Sequence, residues 1–317
     1  MVTSHRPTGA APAAALRTVL GDLPPEALRG RFDAHDHLFL ATPRLPGQEL
    51  ADTGAAAAEL RAFREAGGGT VAQWTPYGMG RRASELARLS RESGVRIVAA
   101  TGLHQAAHYA PETLERVRKD LAGLFVAELT EGIGGPGGPR AGLIKVAGGF
   151  HGLDAHARHT LSAAAEAHHA TGAAIGVHLE LGTGALDVLD LLCDEAGVPP
   201  QHVILGHLNR SPDAAVHRTA AEAGAYLAFD GPSRAHHATD WRLPEALAAL
   251  VDAGFGDRVL LGGDTTTAGA RSVDGGPGMP YVVLGLRRRL ELTLEKEAVD
   301  RMLTANPARA FATEWRA

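Results

Sequence analysis

Six side chains spread along the chain could together hold a pair of metal ions: His35, His37, Lys145, His178, His207 and Asp264. His35 and His37 form a His-x-His pair. Residues at i and i+2 of a strand point to the same face, so both rings can grip one ion. Neutral imidazole and carboxylate suit zinc, or manganese, cobalt or iron. The pair alone is a weak signal, because two histidines hydrogen-bonded at a strand end have the same spacing. Lys145 is the sharper clue. It lies in the apolar run Gly142-Leu143-Ile144-Lys145-Val146-Ala147, where a bare cation is costly to bury. Desolvation lowers a lysine's pKa, and a neutral amine can take up carbon dioxide as a carbamate, a carboxylate able to bridge two ions. The alternative is a lysine that snorkels to the surface or pairs with Asp264.

Whether these residues meet depends on the elements that carry them. Buried parallel strands read as continuous apolar runs, and eight are present: Phe32 to His35, Thr70 to Trp74, Arg96 to Ala100, Gly142 to Ala147, Ala173 to His178, His202 to Gly206, Ala225 to Phe229 and Arg258 to Gly263. Between them lie Ala- and Leu-rich stretches with helical spacing, among them Gly54 to Ala66, Arg82 to Ser93, Pro111 to Leu129 and Ala155 to Ala170. This alternation predicts an α/β chain closed as a (β/α)8 TIM barrel. An open doubly wound sheet usually has a Gly-rich turn after its first strand; here that strand ends in His-Asp-His. We expect a loose N-terminal arm over residues 1–17 and a single domain over 18–317, with Gly132 to Gly138 a surface loop within it. Chemistry in such barrels sits at the C-terminal strand ends. His35 and His37 end the first predicted strand, Lys145 lies late in the fourth, His178 ends the fifth, His207 closes the sixth and Asp264 follows the eighth. The chain has sixteen histidines, and chance alone would rarely fill so many strand ends.

Composition narrows the partners. Among 317 residues the net charge is −5, and no basic run could track a phosphate backbone, so nucleic acid is not expected. No stretch approaches the length of a membrane span, and Met1 to Leu20 lacks the apolar core of a signal peptide. The single cysteine, Cys193, cannot form an internal disulfide, which suits a reducing cytoplasm.

The motifs, taken in order, resemble the phosphotriesterase family of the amidohydrolase superfamily. The resemblance runs from about Thr18 to Thr313. It is carried by Asp33-Ala-His-Asp-His-Leu-Phe39, Thr75-Pro-Tyr-Gly-Met-Gly-Arg81, Glu128-Leu-Thr-Glu-Gly-Ile133, Ala141-Gly-Leu-Ile-Lys-Val-Ala147, Val203-Ile-Leu-Gly-His-Leu-Asn-Arg210, Phe229-Asp-Gly231 and Asn306-Pro-Ala-Arg309. It implies that His35, His37 and Asp264 hold a buried ion and His178 and His207 a more exposed one. Carbamylated Lys145 and a hydroxide would bridge the two. Paired cations make hydroxide available near neutral pH and polarise the substrate oxygen, and Asp264 would take the hydroxide proton. A homodimer is implied as well. The chain departs from the family at Asp36, at Gln73 where an acid is common, at bulky Trp74, and at Gly262-Gly263-Asp264, followed by three threonines.

The implied substrate is a small molecule: a lactone or carboxylic ester, with a phosphotriester as the alternative and a non-catalytic ligand-binding barrel as a third reading. Lactonases resembling this chain often carry a tyrosine in a Thr-Gly-x-Tyr pattern, whereas here the run is Thr101-Gly-Leu-His104. That turns the comparison from acyl-homoserine lactones towards sugar lactones, some of them phosphorylated. Arg234 and Arg271, in the loops after the last two strands, could clamp a phosphate or carboxylate, or be solvated loop arginines. His236 and His237 stand beside Arg234, facing either substrate or solvent. Trp74, Tyr77, His104 and Tyr109 are expected on the pocket wall, with deep core as the alternative. His151, His168, His169 and His217 read as ordinary surface or helix residues.

Overall fold

The eight apolar runs form eight parallel strands in a computed structural model that describes residues 13–231 and 239–316. They are β1 Arg31–Asp36, β2 Gly68–Gln73, β3 Arg96–Gly102, β4 Leu143–Ala147, β5 Ile175–His178, β6 Val203–Gly206, β7 Tyr226–Asp230 and β8 Val259–Gly262. Each pairs with the next in the chain. β8 returns beside β1, where the N–H groups of Gly263 and Asp264 both donate to the His35 carbonyl at 2.9 Å. The architecture is the expected (β/α)8 barrel, with strand ends moved by one or two residues at most.

Helices cover the outside, and several start where a side chain can satisfy the first free N–H groups. Asp52 accepts from Ala55 N at 2.7 Å to begin Thr53–Glu65. Asp154 accepts from Ala157 N at 2.7 Å to begin Ala155–Thr171. The single helix expected over Pro111 to Leu129 is two, Pro111–Val117 and Leu121–Thr130. Asp120 breaks it: its carboxylate accepts from Gly123 N at 3.0 Å and caps a new helix.

The N-terminal boundary also needs correction. Ala15–Thr18 is a strand, paired antiparallel with Gly21–Leu23 and with Ala312–Thr313. Leu16 is fully buried, and Arg17 is buried too, bound to Asp22 at 2.9 Å and lying over the Trp315 ring. The folded body therefore begins inside the stretch expected to be a loose arm; residues 1–12 lie outside the described set.

The barrel interior is apolar and small-residue-rich, with Ala34, Ala72, Ala100, Ala174 and Ala228 packed around Trp74. The indole N–H donates to Ala34 O at 2.8 Å. Space for the ring comes from Gly176, where a Cβ would lie 2.9 Å from an indole carbon. Trp74 plugs the barrel beneath its C-terminal mouth. The bulk that looked out of place in the sequence is the floor of the site.

Candidate metal centre

Strand parity aims the chemistry at one rim. Leu143 of β4 fills the interior, and two residues later, on the same face, stands Lys145; Asp264 follows β8 by two residues, just past the strand's end. β1 needs one more device. Between Asp33 and Asp36 it carries one extra residue against β2. Such a bulge changes which side chains face inward, so His35 and His37 reach the mouth above Ala34. His207 and Asp264 have φ of 66° and 52°. That left-handed backbone costs a non-glycine residue about 1–3 kcal/mol, and such strain gathers where a side chain must be aimed.

His35, His37, Lys145, His178, His207 and Asp264 all line one cavity of about 420 Å³. A hollow of about 530 Å³, bordered by Leu103, Leu114 and Ala155, lies outside the barrel mouth and none of the six reaches it. Donor chemistry, not size, marks the site. His35 Nε2 and His37 Nε2 approach Asp264 Oδ1 at 3.6 and 3.5 Å. His207 Nε2 and His178 Nδ1 face each other at 2.7 Å. Lys145 Nζ lies 3.1 Å from His104 Nδ1.

Burial sets the protonation states. It pushes the imidazoles of His37 and His178 down to about 4 and that of His207 well below its ordinary value. The rings are therefore neutral at pH 7, as ligation requires. Burial also lowers Lys145 to about 7 against the opposing pull of Asp264. Burial alone would raise the Asp264 carboxyl, but His207 and Arg210 hold it well below the usual carboxylate range.

Carboxylates stand behind these rings. Asp230, fully buried at the end of β7, lies 2.9 Å from His35 Nδ1 and 2.7 Å from His207 Nδ1. His35, His207 and Asp230 are close enough to form a ligand set of their own, as are His35, His37 and Asp264. We assign Asp230 an orienting role because it does not line the cavity, whereas Asp264 does. His37 Nδ1 is held by Thr75 Oγ1 at 2.7 Å. Four imidazoles and one ionised carboxylate converging on one cavity fit a divalent ion of the zinc type.

The expected substrate residues fare differently. His104 lines the cavity. Trp74 is fully buried and stacks on His35 with centroids 3.9 Å apart, so it supports a candidate ligand from below. Tyr109 is buried and its hydroxyl accepts from His104 N at 2.7 Å, shaping the loop that carries His104. Tyr77 packs against the outer core rather than the cavity. Arg271 is 2% exposed and donates to Leu38 O at 2.6 Å, so it braces the loop after β1 and offers no clamp. Arg234, His236 and His237 lie outside the described residues. His168 and His217, expected as ordinary surface or helix positions, sit on helices but are buried, bound to the carbonyls of Ala173 and Leu208.

Sequence reasoning did not single out Asp230, Glu180, Gln105, Arg44, His108 or Arg210. Arg210 is bonded to Asp264, and its place three residues after His207 was a usable signal. Gln73, at the position where an acid is common, holds the loop after β1 instead: its amide accepts from Leu38 N at 2.8 Å and donates to Phe39 O at 3.1 Å. Asp36 lies behind the ligands, accepting from His37 N at 2.7 Å and Thr265 N at 2.9 Å.

Comparison with known proteins bears on this geometry. Residues 14–311 match the family model described as the phosphotriesterase family. A relative in Mycoplasmopsis synoviae named a phospho-furanose lactonase is 31% identical over 328 aligned residues, covering 93% of this chain and 91% of its own. Among solved structures, a lactonase of Listeria monocytogenes is similar with a TM-score of 0.86 at 28% identity, covering 94% of this chain and 98% of that one. The phosphotriesterase homology protein of Escherichia coli, solved with phosphate in its active site, gives 0.84 at 28% identity and covers 89% and 98%. With the match spanning nearly the whole barrel, the chain belongs to the phosphotriesterase family and is a hydrolase.

Proposed function

We propose that this protein opens the ring of a sugar lactone bearing a phosphate group, using two divalent ions, most readily zinc. His35, His37 and Asp264 would hold one ion, His178 and His207 the other, and carbamylated Lys145 would bridge them. The observation that carries this reading is the convergence of these six side chains, five of them buried and His178 partly so, on one cavity. Bound there, the ions would lower the pKa of a shared water and polarise the carbonyl under attack.

The chain's own residues supply the rest. Lys145, lowered to about 7, has a substantial neutral fraction at physiological pH; Nζ can add carbon dioxide and release a proton, leaving a carbamate. Asp264, ionised and fixed by Arg210, is the acceptor for the proton of the attacking water and the donor that returns it to the ring oxygen as the C–O bond breaks. Leu40, Leu45, Met79 and Leu181 give the cavity an apolar lining against which the ring can pack. Arg44 lines the same cavity and is exposed. Among the described residues it is a lining cation placed to meet a phosphate. The names of the relatives, one a phospho-furanose lactonase and one solved with phosphate bound, support the same substrate class. We further propose a homodimer in a reducing cytoplasm, in keeping with the free thiol of Cys193.

The test is a panel of furanose lactones with and without phosphate, aryl phosphotriesters and simple esters, assayed with metal-loaded protein. Phosphorylated lactones should turn over fastest. Phosphotriester turnover far above lactone turnover would reverse the assignment. Lys145→Ala should lose paired metal binding and most activity, with partial rescue by a short carboxylic acid.

A further inference from the structure

One imidazole in the centre is turned the other way round. His37 has Nδ1 bonded to Thr75, His35 and His207 have Nδ1 beside the Asp230 carboxylate at 2.9 and 2.7 Å, and all three present Nε2. His178 presents Nδ1, which faces His207 Nε2 at 2.7 Å, and its Nε2 lies 3.2 Å from Glu180 Oε2.

The proton positions follow from the neighbours. Gln105 Nε2 contacts the Gly148 carbonyl at 2.9 Å; a carbonyl only accepts, so this atom is the amide nitrogen. The same nitrogen contacts Glu180 Oε2 at 3.0 Å and donates there as well. Glu180 therefore accepts from both sides, and a neutral His178 must carry its hydrogen on Nε2. The lone pair on Nδ1 is left facing the cavity. The backbone is bent to allow this. Leu181 has φ of 49° and Gly182 of 72°, a left-handed pair that turns the chain away immediately after Glu180, so that its carboxylate can fold back on a ring two residues earlier.

Resting on the binuclear reading above, we propose that Glu180, braced by Gln105, is a positioning residue that fixes the tautomer and direction of His178 and so sets the affinity of the exposed ion position alone. The buried position, served by His35, His37 and Asp264, owes nothing to this contact. Carboxylates behind ligating histidines typically change metal affinity by about 10–100-fold.

The experiment is a calorimetric titration of the metal-free protein with Zn²⁺, with elemental analysis of metal content after dialysis. It compares wild type with Glu180→Ala, Glu180→Gln and Gln105→Ala. Wild type should take up two ions. In Glu180→Ala the weaker site should lose about 10–100-fold in affinity while the tighter site stays within about twofold. Glu180→Gln, whose amide oxygen can still accept from Nε2, should recover most of that loss, and Gln105→Ala should fall between. Unchanged binding of both ions in Glu180→Ala overturns the proposal, as does equal weakening of both sites, which would make the residue merely structural. Wild type that binds fewer than two ions would instead overturn the binuclear reading, and this inference with it.

Discussion

Replacing Lys145 by methionine should stabilise the protein without metal and weaken it with metal. Nζ is buried, and burial lowers its pKa from 10.5 to about 7. At about 1.4 kcal/mol per pH unit, that drop opposes folding by on the order of 5 kcal/mol, or about 3 if local relaxation recovers a unit or so. The sign follows from proton counts. Between pH 7 and 10.5 the unfolded chain holds a proton that the folded chain has released, so stability rises with pH across this window, and the whole penalty is present below about 7. Methionine fills a similar volume and has no charge to desolvate. In chelator and bicarbonate-free buffer, urea unfolding at pH 7 should therefore show Lys145→Met the more stable by about 3–5 kcal/mol, less the contact to His104. The gap should shrink by about 1.4 kcal/mol per pH unit up to pH 9. With Zn²⁺ and bicarbonate the order should invert, because only the lysine can bridge two ions. A metal-free mutant no more stable than wild type at pH 7, or a gap indifferent to pH, would refute a desolvated lysine and remove the physical basis for a carbamate.

Three further outcomes follow from the same geometry. Asp230→Asn loosens both His35 and His207, and should weaken uptake of both ions by about 10–100-fold, read by metal titration, unlike the one-site loss expected at Glu180. Arg271→Ala should lower stability by about 2–3 kcal/mol through its lost bond to Leu38 O, measured by thermal unfolding, while KM ratios between phosphorylated and neutral lactones stay constant. Arg44→Ala should do the reverse, raising KM for the phosphorylated lactone by about three- to tenfold and leaving the neutral one and the unfolding midpoint unchanged.

The strands, their order and the placing of six donors at the mouth were legible in the sequence because each depends on local pattern. A run such as Gly142 to Ala147 is apolar throughout only if both faces are buried, and a lysine within it declares its own unusual surroundings. The candidate orienting residues were not legible. Nothing local separates Glu180 from any loop carboxylate, or Gln105 from any loop amide. Their meaning comes from contacts spanning 75 residues of chain. Asp230 lay in a quoted motif, yet its place beside the rings of His35 and His207 appears only once the barrel closes.

Side-chain direction divided the substrate residues in the same way. The sequence by itself set Trp74 at a strand end and Tyr109 and Arg271 in loops that follow strands, and so near the mouth. Whether each pointed into the cavity or behind it depended on the one-residue bulge in β1, the space left by Gly176 and the free carbonyl of Leu38. Periodicity encodes which element a residue belongs to and which face it shares, since both follow from backbone geometry within a few residues. What a side chain finally touches is decided by packing between elements far apart in the chain, and only the closed barrel supplied it.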